Sequence, residues 1–157
     1  TQPISWHFGN MVNFRNALTE YALHYANEKM LSASEGMPAF SNVGKKYIDI
    51  AFDEPNLFRF LYMSGESGYH AGGFEILTMA DANAVMIDQI AKQSGIPVDK
   101  AKGFFMNSII YTHGLACFIA SGLIEASKEE LYAMVDQGAY GFMLQMGFDL
   151  RKENDEN

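Results

Sequence analysis

This sequence is short of several things that most extracellular, metal-binding or polyanion-binding proteins carry. It has a single cysteine, Cys117, in 157 residues. One thiol excludes a disulfide within the chain and sets the expectation of a cytoplasmic protein. Cationic side chains are few: 11 Lys and Arg stand against 19 Asp and Glu, for a formal net charge of −8. That balance argues against a wide grip on a polyanion by these residues. Part of the acidity lies in a polar tail, residues 151–157, which is expected to fray. No stretch alternates apolar and polar residues as a half-buried strand does, and no repeat is visible. Residues 1–10 lack the basic start and long apolar run of a secretory signal.

Chemistry-bearing patterns are also missing. A di-metal bundle needs Glu three residues before a ligating His. The residues at that spacing before His7, His24, His70 and His113 are Ile4, Tyr21, Ser67 and Ile110. There is no Cys/His cluster, no Gly-x-Ser-x-Gly, no phosphate loop and no dinucleotide fingerprint. A lone helical histidine such as His113 reads as a hydrogen-bonded core residue rather than a haem ligand. The expectation is therefore a protein that is not an enzyme and holds no metal or cofactor.

What the chain has is apolar bulk: 48% of its residues are hydrophobic, with ten Met and twelve Phe. Met fills irregular space and adapts to varied ligands. Residues 104–122 carry almost no charge and no internal turn signal, and predict a helix. Asn107, Ser108, Thr112, His113 and Ser121 interrupt the run, and no Lys/Arg cluster flanks it, which favours a core helix over a membrane span. Phe105, Ile109, Thr112 and Ala116 fall on one side of it; Asn107, Tyr111, Gly114 and Phe118 fall on another. A helix apolar all round is buried all round. In a chain this small, one side faces its own core and the other a second copy. The expectation is an all-α dimer.

Around this helix, the pattern predicts helices at 11–31, 40–54 and 56–62, with Pro55 ending the second of them. A loop is predicted at 32–38, with Gly36 and Pro38 as its punctuation. The glycine-rich stretch 63–73 is expected to be mobile. A helix at 74–93 follows, broken from the central one at 94–97, with Pro97 in the new first turn. Ser127 and Glu130 fit a capping box that opens a last helix at 128–149. On that helix Leu131, Val135, Gly138, Phe142 and Gln145 share a face. Gly138 and Gly141 weaken it unless something approaches closely, and a crossing partner helix is the expected reason.

Three segments together resemble the TetR/AcrR family of one-component transcriptional regulators. Residues 1–10 (TQPISWHFGN) look like the end of the family's DNA-recognition helix and the turn into its fourth helix. Residues 47–61 (YIDIAFDEPNLFRFL) are similar to the helix, acidic-Pro, Leu-Phe passage of its effector domain. Residues 111–116 (YTHGLA), with SKEE at 127–130, look like the Trp…His-Gly effector-domain subtype. The resemblance implies a TetR-like helical bundle that dimerises through its last two long helices. Residues 1–31 would be a remnant of the helix-turn-helix headpiece plus a connecting helix, and 32–157 the effector-binding and dimerisation domain. The chain departs from the family pattern at Ser5, where Tyr is usual, at Met11-Val12, where a Lys-Glu pair is common, and at Ile109, where the subtype has Trp.

On this resemblance Thr1, Gln2, Pro3, Ser5, Trp6 and His7 would belong to the DNA face. A small apolar effector would lie among Phe58, Tyr62, Met79, Asn83, Met86, Phe105, Ile109 and Thr112, with Asn83 orienting it. Two copies would meet through Tyr111, Gly114, Leu115, Phe118, Leu131, Val135, Gly138, Phe142 and Gln145. The effector would tilt the connecting helix and spoil the one-turn spacing at which two recognition helices enter operator DNA. That requires different affinities for the two shapes. The alternative is a helical small-molecule carrier or sensor domain with no DNA role.

Overall fold

The computed structural model describes residues 6–31, 35–64, 73–78 and 80–148. Its helices are α1 (Met11–Met30), α2 (Gly36–Asp53), α3 (Pro55–Tyr62), a 3-10 turn (Phe74–Leu77), α4 (Asp81–Ser94), α5 (Val98–Ala120) and α6 (Lys128–Met146). Among the described residues there is no strand, so the protein is all-α. The glycine-rich stretch expected to be mobile falls mostly at residues 65–72, outside the described residues.

A helix apolar on every side needs neighbours on several sides. Helix α5 has them: α2, α3, α4, α6 and the 3-10 turn all pack on it. By length and composition α5 could cross a membrane; here it is the centre of the bundle. Its two halves serve different cores. Ala101, Phe104 and Phe105 join Ile87, Ile90 and Phe148 in one cluster. Leu115, Ala116 and Ala120 join Ile48, Phe58, Leu61 and Leu131 in the other. The stretch around Ser108 to Thr112 lies between them.

The structure corrects three expected boundaries. Helix α2 begins at Gly36, not at residue 40, because its first N–H groups find acceptors on α4. Gln89 Oε1 accepts from the Gly36 N–H and Gln93 Oε1 from the Met37 N–H, each at 3.2 Å. Pro38 then sits in the first turn, where its missing N–H costs nothing. Gly36 has φ +65°, so the backbone favours glycine, and an added Cβ would lie 2.0 Å from Gln93 Oε1 and displace that side chain. The predicted helix 74–93 is two elements. Thr78 Oγ1 donates to Glu75 O and Asn83 Nδ2 to Leu77 O, both at 3.0 Å, and these bonds close a turn between them. Pro97 is the residue before the first turn of α5 rather than inside it.

Helix α6 opens on the expected capping box, with Ser127 Oγ accepting from Glu130 N and Glu130 Oε2 from Ser127 N. It ends at Met146, and Phe148 turns back to bond Met143 O and to pack on Phe104 at 5.2 Å between ring centres. Its start is tied to α2 by Lys128, 2.6 Å from Asp53 and 3.4 Å from Asp49, and by the Tyr132 hydroxyl on Asp49. Burial and the Asp49 bond push the Tyr132 phenol up to about 12. Burial works to raise the Asp49 carboxyl, but Tyr132 and Lys128 outweigh it and the net shift is downward.

Helix α1 is packed only toward its C-terminal end. Ala22 and Ala26 are buried, and Tyr25 and Lys29 reach Glu54 at the α2–α3 junction. The hydrogen bond from Lys29 lowers the Glu54 carboxyl. Met11, Val12, Leu18 and Tyr21 are exposed. Asn10 Oδ1 caps α1 at Asn13 N, 2.8 Å away, and Asn13 Nδ2 donates to Phe8 O at 3.0 Å. Residues 6–8 are helical and are thereby held at the far end of α1.

Candidate functional site: a cleft between α2, α5 and α6

Where the two cores part, helices α2, α5 and α6 leave a cleft of about 200 Å³. Met37, Phe40 and Gly44 line it from α2, Phe104, Ser108, Tyr111 and Thr112 from α5, and Val135, Ala139 and Met143 from α6. Asp136 and Tyr140 also border it, and Asp136 is held by Lys45 at 2.9 Å. Ser108 is only 6% exposed, and its Oγ has no hydrogen-bond partner. A helical serine usually satisfies its hydroxyl on the carbonyl one turn back. An orphaned buried hydroxyl costs about 1–3 kcal/mol.

A second cluster of reactive side chains lies further along α5. Tyr47 Oη is 2.8 Å from His113 Nδ1, and Cys117 Sγ is 3.5 Å from His113 Nε2. The rings of Phe58 and Tyr47 stand within 6.1 Å of the imidazole. Burial lowers the His113 pKa and raises that of Cys117. Both shifts favour neutral imidazole and neutral thiol. An activated Cys–His pair needs thiolate, so the surroundings oppose that chemistry. Among the described residues no group of three His, Cys, Asp or Glu could hold a metal ion.

Thr1, Gln2, Pro3 and Ser5, expected on a DNA face, lie outside the described residues, as does Met79 of the expected effector set. Trp6 is 90% exposed and His7 is exposed. The remaining effector residues do not converge. Phe58 and Tyr62 belong to one core, and Met86, Phe105 and Ile109 to the other. Asn83 Nδ2 donates to the Leu77 carbonyl, and Asn83 is not among the residues that line the cleft. Only Thr112 lines the cleft.

The residues expected to pair two copies are divided between core and surface in the single chain. Leu115, Leu131 and Val135 are buried in this chain's own core. Tyr111 packs edge-on against Phe142, and an added Cβ on Gly138 would lie 2.7 Å from its ring. The close approach that explains Gly138 therefore comes from the same chain. The outward face of α5 and α6 carries Ile110, Phe118 at 51% exposure, Met134, Tyr140 and Leu144 at 55%. Gly114 and Gly141 have open space where a Cβ would be. Gly114, Phe118 and the exposed Gln145 are the members of the expected set that keep clear of the core.

The sequence reading passed over Ser108, Phe40 and Met143. Ser108 did carry a signal. It lies one helical turn from Thr112 and beside Phe105 and Ile109, on the face already expected to bind. No protein-family model, curated protein or solved structure matches the chain.

Proposed function

We propose that the chain is the sensing and pairing part of a cytoplasmic DNA-binding transcriptional regulator of the TetR/AcrR type, acting as a repressor whose operator affinity responds to a small apolar effector. The observation that carries this reading is the half-packed helix α1. Its C-terminal half is fixed to the bundle at Glu54, while its other end leaves the core with exposed apolar residues and holds the helical turn at residues 6–8. Such a helix suits a connector between a sensing bundle and a headpiece. The outward apolar face of α5 and α6 suits pairing with a second copy, which sets two headpieces one DNA turn apart.

Selection of random duplex DNA by the protein expressed from its full reading frame tests the reading. Recovery of an inverted repeat with half-sites one helical turn apart is the expected result. Failure to enrich any sequence, together with a monomer by light scattering, overturns it. One observation favours a second reading, a helical carrier or sensor without a DNA role: the net charge of −8. Under that reading a ligand is bound, and no DNA is selected.

A further inference from the structure

We infer that the cleft between α2, α5 and α6 is a site for a neutral molecule of single-ring size with one hydroxyl or carbonyl group, which Ser108 receives. The inference specifies the effector of the proposed regulator and rests on that reading, though binding itself needs only this chain.

Three observations carry it. The first is size. A buried apolar cavity of about 150 Å³ admits benzene, and this cleft is about 200 Å³. The second is charge. Asp136 borders the cleft but is already paired with Lys45 at 2.9 Å, so no unpaired charge faces an occupant. The third is the polar anchor. Ser108 lines the cleft, is 6% exposed and has no partner for its Oγ. A hydroxyl both donates and accepts, so either a ligand hydroxyl or a ligand carbonyl satisfies it. Phe40, Phe104, Val135 and Met143 give the wall an apolar side suited to a ring, with Met143 able to adjust, and Ser41, Tyr111, Thr112 and Tyr140 also border it.

The experiment uses the whole chain with three probes: p-cresol, toluene and benzoate. Calorimetric titration and thermal shift are the readouts. We expect p-cresol to bind and raise Tm, toluene to bind about 3- to 10-fold more weakly for want of one hydrogen bond, and benzoate to have no effect. Ser108→Ala should reduce p-cresol to the affinity of toluene and leave toluene unchanged. Because no hydrogen bond is lost, the unliganded Tm should not fall. Gly44→Ala adds a methyl 3.7 Å from Val135 Cγ1, an ordinary contact, and should weaken both neutral probes by narrowing the cleft. No shift with p-cresol or toluene at millimolar concentration overturns the inference. So does an equal loss of both in Ser108→Ala. If these fail while DNA selection succeeds, the regulator reading stands and its effector lies elsewhere. If binding succeeds without DNA selection, the cleft survives and the regulator reading falls.

Discussion

Two glycines on α2 show how position alone decides what a methyl group does. Gly36 has a left-handed backbone and sits against the Gln93 amide. Gly36→Ala should lose about 1–2 kcal/mol from the backbone term, and more as Gln93 gives up its cap on Met37. Gly44, eight residues on, lies inside the helix with ordinary room for a Cβ. Gly44→Ala should gain up to about 1 kcal/mol from helix propensity. Urea melts of the two variants should therefore move in opposite directions. His113 offers a pH test. Burial depresses its pKa below the usual 6.5. The unfolded chain then takes up a proton on acidification before the folded one does. Stability should be complete above pH 6.5 and decline as pH falls below it, until the folded imidazole protonates. For a half-buried ring the slope should stay below about 1.4 kcal/mol per pH unit. Denaturant melts at pH 7.5, 6.5 and 5.5 measure it, and His113→Gln should remove that component.

At the scale of elements, the contrast is between helices that carry their own ends and helices that borrow them. Helix α6 carries Ser127 and Glu130, and Ser127→Ala should lower stability by about 1 kcal/mol, read as a drop in Tm. That box is local, so it was visible in four consecutive residues. The start of α2 was not, because its caps come from Gln89 and Gln93, more than fifty positions away. Nor was the break before Asp81, which depends on Asn83 reaching back to Leu77. Faces suffered the same limit. Helix α6 is apolar both at Leu131 and Val135 and at Met134 and Leu144. Periodicity does not say which stripe meets its own chain; the Tyr132 bond to Asp49 on α2 does, and that is a fact of packing. Helix α1 should show two exchange regimes. Amide hydrogen exchange should be fast over residues 11–18 and slow around Ala22 and Ala26, because only the latter half has a packed face.

For the molecule as a whole, the all-helical class and the central place of α5 followed from one uncharged apolar run. The cleft did not, since it forms where two cores fail to merge. Its lining is set by which residues of α2 and α6 happen to face Ser108. If two copies pair through the outward face of α5 and α6, Phe118→Glu combined with Leu144→Glu should yield a monomer of unchanged helical content. Light scattering and circular dichroism together check this. Both side chains are about half exposed in the single chain, at 51% and 55%, so the fold itself should tolerate the change.

Glu54, gripped by Tyr25 and Lys29, anchors one end of α1. The helix has 20 residues, a rod about 30 Å long at 1.5 Å per residue. From Tyr25 and Lys29 to Asn10 the arm is about 22–28 Å, so a rotation of about 5° there would swing the opposite tip through about 2 Å, an angular input converted into linear travel by length alone. Any such rotation would be magnified at Asn10 without flexing of the rod between.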